Sequence, residues 1–129
     1  MKELKKPENV YLEEYDISVK PYLSYDEIQV ILNAVDKFDK WSERQTNIDV
    51  LVLYFCTDIG KDKIEEIGHE TLLVSGLIDA VQGHIVNMNE VYVGIAYNDS
   101  IGREMKLIMK DLKKIAKAGD KINVRSAKR

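Results

Sequence analysis

Apolar positions recur at helical spacing over most of the chain. Ile28, Ile31, Leu32 and Val35 fall at i, i+3, i+4 and i+7, and Phe38 extends the row. Ser24-Tyr25-Asp26-Glu27 has the form of a capping box, in which the serine hydroxyl accepts from the amide three residues on and the glutamate reaches back. The pattern predicts a helix over residues 24–38. Ser42-Glu43-Arg44-Gln45 is a second box of the same form, with Gln45 in the glutamate's place, and an apolar run over 48–56 follows it. The β-branched and aromatic content of that run suits a buried strand. The capped start and the length from 42 to 58 favour a central helix buried on most sides.

After a break at Gly60-Lys61-Asp62, residues 63–67 read as one helical turn ending at Gly68. Leu73, Leu77, Val81 and Ile85 then predict a helix over 69–86, with Gly76 and Ala80 four apart, where another helix would come close. Residues 91–97 again combine strand propensity with helical flanks, and helix is favoured. Asn98-Asp99-Ser100 is rich in N-cap residues. Beyond it Ile101, Met105, Ile108, Leu112 and Ile115 step by 4, 3, 4 and 3 down one face of a closing helix that Gly119 would end. Near the N-terminus, Ile17, Val19 and Pro21 alternate with Ser18 and Lys20, as in a short strand that the proline confines to an edge or stops. The expected fold is mainly α: a single-domain bundle of four to five helices with a short N-terminal strand or extended arm. Residues 1–23 form the extended segment, 24–119 the helical domain and 120–129 a basic tail. No repeat or linker divides the chain.

Charge sharpens this picture. Residues 103–129 hold ten Lys/Arg against three Asp/Glu, whereas residues 1–102 hold nine against nineteen, so the overall charge of −3 conceals a dipolar chain. At about 100° per residue, the stripe from Ile101 to Ile115 stays within roughly 40° of one direction. Arg103, Lys106, Lys110, Lys113, Lys114 and Lys117 lie roughly 120–220° away on the opposite face. Lys121, Arg125, Lys128 and Arg129 continue the charge. These ten residues are the expected partner-binding set. The apolar stripe is expected to face the protein's own core. The basic face has three readings: a solvated surface with a helix-end preference for cations, a salt-sensitive contact with an acidic protein surface or another copy, and phosphate contact with nucleic acid. Against the last, the isoelectric point is near 5.4 and no aromatic is interleaved with these basic residues.

Candidate chemistry is sparse. His69 and His84 are the only histidines, fifteen residues apart on or near one predicted helix. That is about four turns, more than about 20 Å, too far to share a metal unless that helix is broken. No phosphate-binding loop or dinucleotide fingerprint is present. The carboxylates Glu13-Glu14-Asp16, Asp36/Asp39 and Glu65-Glu66 fall on predicted solvated faces and loops, where nothing would split their acidities for acid–base work. Asp49, inside the apolar run, is expected on that helix's wet side or paired with a basic group. Cys56, the one cysteine, reads as a buried thiol, and a reducing compartment is the simplest setting. Tyr11, Tyr15, Tyr22 and Tyr25 read as packing the N-terminal segment onto the core, or as an arm that docks on a neighbour. No enzyme activity, catalytic residue, cofactor or metal is expected. Neither a signal peptide nor a membrane span is apparent, since the longest apolar run, 50–56, is far short of the roughly 20 residues a span needs.

Several segments together have a familiar arrangement. A Lys20-Pro21-Tyr22-Leu23-Ser24-Tyr25-Asp26-Glu27-Ile28 entry leads to a helix ending Leu53-Tyr54-Phe55-Cys56-Thr57-Asp58-Ile59. Gly76-Leu77-Ile78-Asp79-Ala80-Val81, Asn89-Glu90 and a closing amphipathic helix follow. Over residues 20–115 this resembles small helical proteins encoded among the virion and assembly genes of tailed bacteriophages that infect Gram-positive bacteria. The resemblance implies a non-enzymatic structural or assembly role in the particle (capsid-associated, connector or tail), made through contacts with other phage structural proteins or copies of itself. The place of action would be the virion or the host cytoplasm, without secretion or a membrane. A small nucleic-acid-associated protein or regulator using the basic helix and tail is the alternative.

Overall fold

The computed structural model describes the backbone of residues 1–127 and side chains as far as Lys117. It is mainly helical. Two short strands, β1 (Val10–Leu12) and β2 (Ile17–Val19), precede α1 (Tyr25–Val35), α2 (Trp41–Cys56), α3 (Lys61–Ile67), α4 (His69–Val74), α5 (Leu77–His84) and α6 (Asn89–Ala127). By internal packing the chain divides into Met1–Ile95 and Ala96–Arg129, and α6 runs across that boundary.

The strands form an antiparallel hairpin with Leu12 opposite Ile17 and Val10 opposite Val19. Asp16, at the end of its loop, has φ +52°, a left-handed conformation that aspartate tolerates better than most residues. The hairpin is tied inward by main-chain bonds. The Lys20 amide donates to the Cys56 carbonyl at 2.7 Å, and the Pro21 carbonyl accepts from Val86 at 2.9 Å. Asn87 acts as a substitute strand for Leu23: its Oδ1 accepts from the Leu23 amide (2.9 Å) while its Nδ2 donates to the Leu23 carbonyl (2.8 Å).

The predicted capping box of α1 forms in full. The Glu27 amide donates to Ser24 Oγ at 3.1 Å and the Ser24 amide to Glu27 Oε1 at 2.8 Å. Lys20 Nζ reaches the same Oε1 at 2.5 Å. The second box does not form. Helix α2 starts at Trp41 after an extended Lys40 with no side-chain cap, so Ser42 lies inside the helix and not at its N-cap, and the Gln45 amide joins a polar cluster described below. Both ambiguous apolar stretches, 48–56 and 91–97, are helical.

Two boundaries differ from expectation. The single helix expected over 69–86 is two helices, α4 and α5, broken at Ser75-Gly76. Gly76 takes φ +84°, a conformation that favours glycine, with a Cβ there 3.3 Å from the Tyr15 hydroxyl, and Ser75 Oγ bonds the Leu72 carbonyl and the Leu77 amide on either side. Gly76 is thus a hinge between helices and not half of a small-residue contact face. Conversely, Asn98-Asp99-Ser100 does not start a helix and Gly119 does not end one. With no proline and no left-handed glycine in its way, α6 runs unbroken for 39 residues, so residues 120–127 are helical where a tail was expected. The described residues thus form six helices, three of them the short α3–α5, in line with the mainly α fold expected.

The core of the first unit is made by Val19, Ile31, Val35, Ile48, Val52, Leu53, Leu72, Ile78, Val81 and Val91, each at most 2% exposed. Helix α2 lies at its centre. The first two turns of α6 belong to it through Val91 and Ile95. Gly94 allows a close approach there: a Cβ at that position would lie 2.8 Å from Leu32 Cδ1.

Candidate interaction surface on the long helix

From Ala96 onward α6 is a unit of its own, and residues 100–117 are all exposed. The apolar stripe is therefore exposed, where the sequence pattern suggested that it would be covered by a core. Ile101 is 39% exposed, Met105, Ile108 and Leu112 each about half, and Ile115 67%. A helix presenting such a row to water is ordinarily covered by something. The 4-3-4-3 spacing defines a heptad in which Ile101, Ile108 and Ile115 occupy d and Met105 and Leu112 occupy a.

The expected partner-binding residues divide into three groups. Arg103, Lys106, Lys110, Lys113, Lys114 and Lys117 are exposed on α6 and fall at heptad positions b, c and f, outside the seam. Lys121 and Arg125 lie on the helical backbone, with their side chains outside the described residues. Lys128 and Arg129 lie outside the described residues altogether. The helix-end explanation for Lys113, Lys114 and Lys117 does not hold. The macrodipole acts only within the last turn, and α6 continues ten residues beyond Lys117. The acidic residues in this stretch, Glu104 and Asp111, take the g positions beside the seam.

The first unit brings together a second group of polar residues. Asp49 is 3% exposed. Its Oδ1 accepts from Gln45 Nε2 (2.9 Å) and Gln82 Nε2 (2.7 Å), and its Oδ2 lies 2.8 Å from His69 Nε2. Gln45 also donates to the Tyr92 hydroxyl at 3.0 Å, and Tyr92 stands against Trp41 with ring centroids 6.3 Å apart. Asp49 pairs with a basic group, as one of the two sequence expectations had it, while its flanks are covered. Among the described residues, no buried side-chain polar atom lacks a partner. A carboxylate held by three donors ties α2, α4 and α5 together. The Tyr92 hydroxyl reaches the cluster through Gln45.

The remaining chemistry-bearing residues are dispersed. His69 and His84 stand on separate helices, and His84 is exposed. Among the described residues, no three His, Cys, Asp or Glu side chains are grouped to hold a metal. Glu13, Glu14, Asp16, Asp36, Asp39, Glu65 and Glu66 are all exposed. Partial burial raises the pKa of Glu27, but the Lys20 ammonium and the Ser24 amide and hydroxyl outweigh this and hold it below the usual glutamate range. Cys56 is buried as expected, and burial pushes its thiol up to about 11 against the weaker opposing pull of Lys20. Tyr15 packs inward and donates to the Ser75 carbonyl at 3.0 Å. Tyr22 lies under Lys6 and Lys20, while Tyr11 and Tyr25 are exposed. An open groove of about 460 Å³ beside the hairpin loop is lined by Tyr15, Asp58, Lys63, Thr71 and Ser75 over an apolar floor, with no buried titratable group.

Compared with protein-family models, curated proteins and solved structures, the chain matches none. Among the described residues, no helix is long and apolar enough to cross a membrane.

Proposed function

We propose that this chain is a non-enzymatic structural or assembly protein of a bacteriophage particle, acting through protein–protein contacts made by α6. The observation that carries the reading is the row of five large apolar side chains left in water along a helix of 39 residues. Such a surface has the form of a contact element rather than a catalytic one. The resemblance over residues 20–115 supplies the setting: the virion or the host cytoplasm, with other particle proteins or further copies as partners. Co-expression with capsid, connector and tail proteins of the same genome, followed by size exclusion with light scattering at low and high salt, tests it. Co-elution with one of them or stable self-association is expected. A monomer that binds none of them at either salt overturns it.

The exposed basic face of Arg103, Lys106, Lys110, Lys113, Lys114 and Lys117 favours a second reading, in which α6 contacts nucleic-acid phosphates. Affinity for a DNA or RNA duplex would then fall steeply with salt, and charge reversal at Lys110 and Lys114 would flatten that slope. No binding at low salt removes this reading.

A further inference from the structure

We infer that α6 closes its apolar seam against the same helix of other copies of this chain, in a parallel bundle of more than two protomers. This rests on the reading of α6 as a contact element and names its partner.

Three features of the helix single out copies of itself as the occupant. First, the residue types at the seam are those of a self-associating coil. Leucine or methionine at a with isoleucine at every d from Ile101 to Ile115 shifts preference away from two-stranded coils and toward three or four strands. Position e adds Gly102, Met109 and Ala116, which are small or apolar and exposed, and widen the apolar face beyond a strict two-stranded seam. Two heptads make a short seam for a pair. In a bundle of three or four, each helix touches two neighbours, and the same side chains are covered more completely.

Second, the charges permit identical copies to meet. The six described lysines and arginines of this stretch sit at b, c and f, on the outside of such a bundle, where solvent and salt screen them. In a parallel arrangement, g meets e of the neighbour. Glu104 and Asp111 then face Met109 and Ala116 of the neighbouring copy, with no like-charge contact. An antiparallel arrangement would set g against g and oppose Glu104 to Asp111, so charge selects the parallel one. Third, Asn98 falls at an a position one heptad before Met105, where a single polar residue fixes register between identical strands.

Light scattering and sedimentation equilibrium of the full chain at tens of micromolar test this. The expected mass is three or four times the 14.8 kDa of the monomer, and raised salt leaves it unchanged or strengthens it. Ile108→Gln with Leu112→Gln keeps good helix formers in place and should return the monomer, while Lys110→Gln at an f position should keep the oligomer. Near-ultraviolet dichroism of Trp41 reports whether the first unit stays folded in each variant. For the parallel register, Leu112→Cys should form a disulfide between copies on mild oxidation, whereas Lys110→Cys should not. A monomeric or dimeric wild type, or an oligomer that survives the double substitution with Trp41 native, overturns the inference. A monomer that instead binds a named, co-expressed particle protein through the same stripe also overturns it, while leaving the functional reading in place.

Discussion

Replacing Asp49 with alanine strips one acceptor from three donors at once. Gln45, Gln82 and His69 each lie 2.7–2.9 Å from the carboxylate, which is 3% exposed. Hydrogen bonds to a charged acceptor contribute about 1.5–3 kcal/mol each, so simple addition gives an upper bound near 5–9 kcal/mol. Two offsets reduce it. Gln45 keeps the Tyr92 hydroxyl, and the His69 side chain, one-quarter exposed, can turn to water. Removing a buried carboxylate also recovers its desolvation cost, though breaking a buried pair from one side still costs about 3–5 kcal/mol. A loss of about 3–4 kcal/mol is therefore expected. For a unit of this size that is a fall of roughly 15–20 °C in Tm. Asp49→Asn should lose less, about 1–2 kcal/mol, since its one carbonyl oxygen can still accept from both glutamines. Urea unfolding followed by Trp41 fluorescence is the assay, because Trp41 stands against Tyr92 at the edge of the cluster. Adding His69→Ala to Asp49→Ala completes a double-mutant cycle, with a coupling of at least about 1 kcal/mol expected. A loss under about 1 kcal/mol for Asp49→Ala would refute the reasoning, because burial of the charge would then have consumed what its three bonds supply.

Further outcomes follow from single contacts. Gly102→Ala, with open space around it, should stabilise α6 by up to about 1 kcal/mol. The same change at Gly94 drives a methyl to 2.8 Å from Leu32 Cδ1 in the core and should lower stability by about 1 kcal/mol or more in the same urea assay. Because the folded-state pKa of Glu27 is depressed, its contribution is present above the ordinary glutamate range and lost as pH falls through the lower folded value. The stability margin of wild type over Glu27→Gln should accordingly be positive at pH 7, shrink below about pH 4 and vanish at still lower pH, and a constant margin would contradict this. With its thiol at about 11, Cys56 should react with a thiol reagent at pH 8 roughly 100-fold or more slower than in urea-unfolded chain.

The elements that were legible in the sequence are those whose signal is local. Ser24 and Glu27 are three residues apart, and the box they predict is the box that forms. Ile17 and Val19 marked a strand, but its partner, Val10–Leu12, carries no alternation of its own and is defined only by pairing. The break at Gly76 was hidden because Leu73, Leu77, Val81 and Ile85 keep helical spacing straight across it. A glycine at φ +84° resets the helix axis without disturbing that count. The box at Ser42 did not form because the helix begins earlier, with Lys40 as its N-cap, while Gln45 bonds Asp49 and Tyr92. That Asp49 would need partners was readable from its place in an apolar run. That they would be His69 and Gln82, 20 and 33 residues away, was not.

The long helix shows the same limit from the other side, since its pattern was read correctly and its environment was not. A row of isoleucine, methionine and leucine at steps of 4 and 3 has the same appearance whether it faces a domain core or another helix. Length separates the cases: a helix of a globular domain ordinarily ends within about three or four turns, while α6 passes Asn98-Asp99-Ser100 and Gly119 without stopping. The basic face then acquires its meaning from the apolar one. If the seam is closed by copies, lysines and arginines at b, c and f are repeated around the outside of the bundle. A modest charge on one chain becomes a dense, multivalent one at its surface. On that arrangement the two readings of α6 operate in sequence, with self-association along the seam creating the surface that an acidic partner would meet. Binding of any polyanion should therefore weaken sharply in the Ile108→Gln, Leu112→Gln variant, even though that variant removes no positive charge.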